Sequence, residues 1–153
     1  MNTYNIFVKA HGGLRWVLLA FLLAAIIKSA LNASNSGQYP PSNRKIALFG
    51  LIFLHVQLLL GLFLYFQSPT VEIALQDMSK AMKDPFYRFW AVEHISMMLL
   101  AVVAGTIGYS KAKRKTESGA KHRTILIYYS LALILIIAAI PWPFREAISR
   151  PLF

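Results

Sequence analysis

Four stretches of this chain are each long and apolar enough to cross a bilayer, which takes about 20 residues of helix. No other feature of the sequence constrains the fold as much. They run at about 8–31, 46–66, 89–109 and 124–140. The first has an uninterrupted apolar run from Trp16 to Ile27, and the second has His55 and Gln57 as its strongly polar side chains. The third carries Glu93, His94, Ser96 and Thr106, and the fourth, the most uniformly apolar, ends at Pro141-Trp142-Pro143. None shows the in-out alternation of a β-barrel strand, so each reads as a helix that satisfies its own backbone groups. The predicted fold is all-α, a single integral membrane domain over residues 1–153 built as a four-transmembrane-helix bundle.

Composition narrows the function classes. Charged residues make up 14% of the chain and hydrophobic ones 57%, whereas soluble domains are about a quarter charged. A soluble enzyme or nucleic-acid binder is a poor match. The chain has no cysteine, which removes disulfides, thiolate zinc, iron–sulfur clusters, c-type haem attachment and cysteine nucleophiles together. No Ser/His/Asp arrangement for hydrolysis is visible.

The formal charge of +10 has a topological explanation. Four spans put the two loops 32–45 and 110–123 on one side, with Lys28, Arg44, Lys45, Lys111, Lys113, Arg114, Lys115, Lys121 and Arg123 against the single acid Glu117. The other side holds both termini and loop 67–88, with fewer basic residues and the remaining acids. Basic loops stay cytoplasmic, so both termini are expected outside, in a bacterial inner membrane, and no nucleic acid is needed to account for the charge. The first helix lacks the short apolar core and small-residue cleavage site of a signal peptide and is expected to be kept. Between spans two and three, Val71, Ala74, Leu75, Met78 and Met82 recur at helical spacing, which predicts a short helix, either interfacial or an ordinary surface helix.

Histidines inside membrane spans are costly and mark function. His11 lies near the outer end of the first helix, His94 near the outer end of the third, and His55 near the middle of the second. At about 1.5 Å rise per residue, His11 and His94 match best in depth, with His55 and His94 as the other pairing. His122 stands in the basic loop. Imidazoles clustered in an apolar bundle suit haem or another metal. Arg15 follows His11 by one turn and is placed to meet a haem propionate. Met98 follows His94 by one turn and carries a thioether, a known axial ligand. Gly12 and Gly13 give a planar macrocycle access to the backbone. The plainer alternative is that the histidines hydrogen-bond between helices, the glycines serve packing and Met97 and Met98 fill the core.

Glu93 and Arg15 both need partners at membrane depth. An Arg15–Glu93 ion pair joining helices one and three is one solution; a propionate for Arg15, with Glu93 as a proton acceptor beside a quinol, is another. Gln57 points about 200° away from His55 around the second helix. One of the two therefore looks toward lipid, a quinone or a neighbouring subunit.

The His11-Gly12-Gly13-Leu14-Arg15-Trp16 segment, His55, the Val92-Glu93-His94-Ile95-Ser96-Met97-Met98 run and Pro141-Trp142-Pro143-Phe144-Arg145 resemble the small four-helix bacterial membrane proteins labelled "cytochrome B". These are loosely similar to cytochrome b561-type bundles. The resemblance covers nearly the whole chain and implies haem b and electron transfer. With only His122 on the cytoplasmic side, one haem near the outer face is what the residues allow. The leading expectation is a membrane b-type cytochrome passing electrons between quinol and a partner, with two of His11, His55 and His94 as iron ligands and Arg15 and Met98 beside them. The alternative is a haem-free accessory or assembly subunit of a larger membrane complex. A small proton or metal transporter ranks last, since broken helices and inverted repeats are missing.

Overall fold

The computed structural model describes residues 3–34 and 38–148. In chain order it runs α1 (Thr3–Asn32), α2 (Pro41–Phe66), α3 (Pro69–Gln76), α4 (Met78–Ala81), α5 (Pro85–Arg88), a π-helical turn (Phe89–Glu93), α6 (His94–Arg114) and α7 (Ser118–Ala139). No strand occurs among the described residues. Four helices are long and apolar enough to cross a membrane: α1, α2, the continuous stretch Pro85–Arg114, and α7. The expected all-α architecture of four spans is present.

Each span extends beyond its apolar window, because helices outrun the hydrocarbon and their ends carry their own signals. α2 starts at Pro41, a proline in the first turn, where the missing N–H costs nothing. The third span starts at Asp84-Pro85, with the Asp84 carboxylate accepting from the backbone N–H of Phe86 at 2.8 Å and of Tyr87 at 3.3 Å. That is a side-chain N-cap followed by proline. α7 starts at Ser118, so His122 lies inside a helix rather than in the loop the sequence suggested.

The spans close a ring in which α1 packs on α2 and α7, α2 on α6, and α6 on α7. Leu18, Leu22, Leu54, Ala101, Ile125, Tyr129, Ala132 and Ile136 fill its axis. Tyr129, fully buried, donates its hydroxyl to the Ala47 carbonyl at 2.7 Å, which satisfies the one polar atom that side chain brings inside. Close α6–α7 contact depends on Gly108, since a Cβ there would collide with Cβ of Tyr128. Only 22% to 33% of each span's apolar window is buried inside the chain. The outward faces carry Ile27, Leu59, Leu100, Ile127 and Ile134. Apolar surface in such amounts needs a solvent other than water, and a lipid bilayer supplies it.

Helices α3 and α4 replace the single predicted short helix, because Asp77 ends one and caps the other by accepting from Lys80 N at 3.1 Å. Val71 and Ala74 turn inward toward the third span, while Leu75, Met78 and Met82 are exposed. The apolar set of the sequence is thus split between an inner and an outer face.

Candidate functional site

At one end of the bundle, the start of α1, the end of α2, the start of α6 and the end of α7 converge around a cavity of about 170 Å3. A buried water needs only about 10–15 Å3 of such space, so the cavity has room for far more than one water. His11, Arg15, His94 and Met98 line it, together with Gly12, Gln57, Gly61, Tyr65 and Trp90. Four of the five residues singled out in the sequence therefore meet in one place.

His94 is held by the end of α7. Pro141 stops that helix and leaves its last carbonyls without intrahelical donors. Trp142 Nε1 donates to Ile137 O at 3.0 Å, Arg145 Nη1 to Ala138 O at 2.8 Å, and His94 Nδ1 to Ala139 O at 2.9 Å. A carbonyl only accepts, so His94 Nδ1 is the donor in this bond, an arrangement that in a neutral ring puts the lone pair on Nε2. Metal-ligating histidines are oriented by this kind of bond. The terminal Pro-Trp-Pro-Phe-Arg run thus acts as the cap of α7 and sets the frame in which His94 is fixed.

His11 sits across the cavity on α1. Its ring centre lies 6.5 Å from that of His94, with the planes inclined by 66°. An imidazole nitrogen bonds a metal at about 2 Å. Adding roughly 1.1 Å from each nitrogen to its ring centre puts the centres of two rings on opposite sides of one metal a little over 6 Å apart. The observed spacing fits. Two further features suit a ligated group. The Nδ1 atom of His11 is buried with no hydrogen-bond partner, and a buried polar atom in that state needs an explanation. A Cβ at Gly61 would come within 3.2 Å of His11 Cε1, so the glycine leaves the ring its room. Gln57, buried, donates from Nε2 to the His11 carbonyl at 3.0 Å and ties α2 to α1 at that level. Among the described residues no group of three or more His, Cys, Asp or Glu side chains could hold a bare metal ion. Two imidazoles are the donor set of a six-coordinate haem, whose macrocycle supplies the remaining ligands.

The π-helical turn at Phe89–Glu93 shapes this wall. His94 N–H reaches back five residues to Phe89 O. The wider turn lets Arg88 Nε reach Glu93 Oε1 at 2.6 Å, a spacing of five that does not meet on a regular α-helix. The Ala91 carbonyl, inside the turn, accepts from the Tyr65 hydroxyl at 2.9 Å. Glu93 therefore belongs to Arg88, and the Arg15–Glu93 ion pair considered from sequence is not formed. π-turns recur at functional sites, and this one ends at His94.

His55 lies elsewhere. Its Nδ1 donates to Leu51 O at 2.9 Å within its own helix, and Nε2 is 3.4 Å from the Thr106 hydroxyl on α6. The opposition between His55 and Gln57 is resolved by the ring, in which α2 has a neighbour on each side. Gln57 is buried against α1, whereas His55 faces α6 along an exposed edge beside Thr106, so of the two it is His55 that stays open to the surroundings of the bundle. Of the paired glycines, Gly12 lines the cavity, while a Cβ on Gly13 would meet nothing. Gln57, Gly61 and Tyr65 were not read as site residues, although their spacing of four, shared face and position one turn apart were visible in the sequence.

Comparison with protein-family models, with curated proteins and with solved structures finds no match to this chain.

Proposed function

We propose that this chain is a membrane b-type cytochrome of the small four-helix "cytochrome B" type, holding one haem b between His11 and His94 and passing electrons between a quinol and a partner. The observation that carries the reading is the 6.5 Å spacing of these two rings across a four-helix cavity. It is supported by the His94 tautomer that the Ala139 carbonyl selects. When bound, the haem supplies one-electron exchange. The chain's own residues bind and orient. His94 is held by the α7 terminus, and Gln57 anchors the backbone of His11. Arg15 brings a cation to the cavity for a carboxylate, and Met98 supplies polarizable packing.

The competing reading, a haem-free subunit of a larger complex, makes both histidines structural. The buried, partnerless Nδ1 of His11 argues against it. In the proposed arrangement the site lies toward the outer face of a bacterial inner membrane, with both termini outside, as the basic loops at the other end require. A dithionite-reduced minus oxidised spectrum of freshly purified protein, with pyridine haemochrome titration, tests the proposal. A Soret band and about one haem per chain are expected, as for a single bis-histidine pair. Colourless protein that co-purifies with a larger assembly would favour the competing reading.

A further inference from the structure

The opposite end of the bundle holds a second cleft, about 80 Å3, lined by Tyr39, Arg44, Tyr109, Lys113 and Lys121 above Ala112 and Ile125. Four parts of the chain build it: the α1–α2 loop, the first turn of α2, the last turns of α6 and the first turns of α7. Three cations from three helices therefore point at one small volume. Their charge is not balanced from within. Glu117 is the sole acid at this end, and it lies 3.7 Å from Arg123. The other acids, Glu72, Asp77, Asp84, Glu93 and Glu146, are at the histidine end. Lys111 is engaged differently, donating to the Tyr128 hydroxyl at 2.7 Å. Among the described residues, Arg44, Lys113 and Lys121 have no carboxylate partner.

The aromatic groups are arranged around the same volume. Lys121 Nζ stands 5.6 Å over the Tyr39 ring. That ring packs 4.6 Å from the ring of His122, which is fully buried and has neither nitrogen hydrogen-bonded. Tyr39 is thereby fixed between a cation and a buried imidazole. Burial, with a smaller effect of Tyr109, raises the Tyr39 phenol above its ordinary titration range, so it stays an O–H donor.

We propose that this cleft binds a phosphate group, with Arg44, Lys113 and Lys121 supplying charge and Tyr39 and Tyr109 supplying hydroxyl donors. The chemistry is shared by two sources, the phosphodiester of an anionic phospholipid and free phosphate. The position of the cleft, where the apolar faces of α2, α6 and α7 end and the basic loops begin, suits a headgroup. Basic pockets between spans are the usual seats of such headgroups. This site is independent of the haem reading.

The test uses the full chain in a phosphate-free sugar detergent, titrated separately with phosphatidylglycerol and with inorganic phosphate. Thermal stability and lipid retention in native mass spectrometry are read. Saturable binding of one phosphatidylglycerol with a raised Tm is expected. The combined variant Arg44→Gln, Lys113→Gln, Lys121→Gln should weaken it by on the order of a hundredfold, and the exposed single variant Lys113→Gln by about fivefold. Lys111→Gln should bind as the parent does. A shift with inorganic phosphate and none with the lipid also upholds the phosphate site and names the free ion as occupant. Absence of both shifts overturns the proposal. So does undiminished binding by Lys113→Gln, whether or not the combined variant folds.

Discussion

His94 donates its Nδ1 proton to the carbonyl of Ala139 at 2.9 Å, so the last turn of α7 fixes the ring that faces His11. The relationship ties a helix terminus to a site. The helix ends at Ala139 and leaves the carbonyls of Ile137, Ala138 and Ala139 open; Trp142 and Arg145 take the first two, and the imidazole takes the third. Capping of α7 and orientation of the His94 ring are one hydrogen-bond arrangement at the C-terminal end of that helix.

His11, His55 and His94 should separate cleanly. His11→Ala and His94→Ala are each expected to abolish haem retention, because one imidazole does not replace two. His55→Ala removes bonds to Leu51 and toward Thr106 that lie outside the cavity. It should keep the Soret band and cost about 1 kcal/mol or less of stability. Spectra of membranes from the three variants decide the matter, and loss of haem in His55→Ala alone would reassign the ligands.

Glu93 and Arg88 form a pair whose side chains are each 36% exposed, so solvent screening limits its worth. A double-mutant cycle with Arg88→Ala and Glu93→Gln should give a coupling of about 0.5–1 kcal/mol. The same cycle between Arg15 and Glu93 should give a value near zero, since their groups do not pair. Arg15→Ala should instead lower haem content or shift its midpoint potential, while Glu93→Gln leaves both close to the parent. Equal coupling in the two cycles would contradict the pairing described.

Packing makes its own prediction at Gly108. An added Cβ meets the Cβ of Tyr128, attached directly to backbone, which has no flexible end to swing away. Gly108→Ala should therefore destabilise the α6–α7 contact by about 1–3 kcal/mol, the usual cost of overpacking. Thermal unfolding in detergent measures it. Gly13→Ala, where nothing lies within 4 Å, is the matched control and should hold stability or raise it by up to about 1 kcal/mol through alanine's helix propensity.

Orientation is tested by a reporter fused after Phe153. Arg44, Lys45, Lys111, Lys113, Arg114, Lys115, Lys121 and Arg123 cluster at the end opposite the histidine cavity, and short basic loops are retained in the cytoplasm. A translocation-dependent reporter should be active there. Activity of a cytoplasm-dependent reporter at the same position would invert the bundle.

The spans and the His11–His94 depth match were legible because each follows from one helix at a time, through apolar length and rise per residue. What the sequence hid depends on departures from regular geometry or on distant partners. The π-turn at Phe89–Glu93 changes which residues share a face, so an Arg88–Glu93 pair at a spacing of five was not readable. An Arg15–Glu93 pair follows from depth alone, since both charges lie in the outer half of their helices and need partners, and depth does not show that Arg88 lies nearer. His122 differs for another reason: the first turn of α7 is basic although it is helical and packed, so hydrophobicity alone does not mark where that helix begins. Gln57 and His55 point apart around α2, which in a ring has two neighbours rather than one core; Gln57 is buried against α1 while the His55 contact toward Thr106 stays exposed.

Gly61 distinguishes a ligand site from a merely packed pair of rings. Its missing side chain leaves a Cβ position 3.2 Å from His11 Cε1, slightly too tight for a methyl group without displacement of the imidazole by a few tenths of an ångström. If the two rings only pack, His11 can turn aside within a roomy cavity, and Gly61→Ala should change stability little or raise it through the better helix propensity of alanine, worth up to about 1 kcal/mol. If His11 is a ligand, the same displacement works against a metal bond of fixed length and direction. Haem content or the midpoint potential should then change while the unfolding temperature of the haem-free bundle holds or rises. A Gly61→Ala variant whose haem content and potential both equal the parent's would show that His11 is not under that constraint.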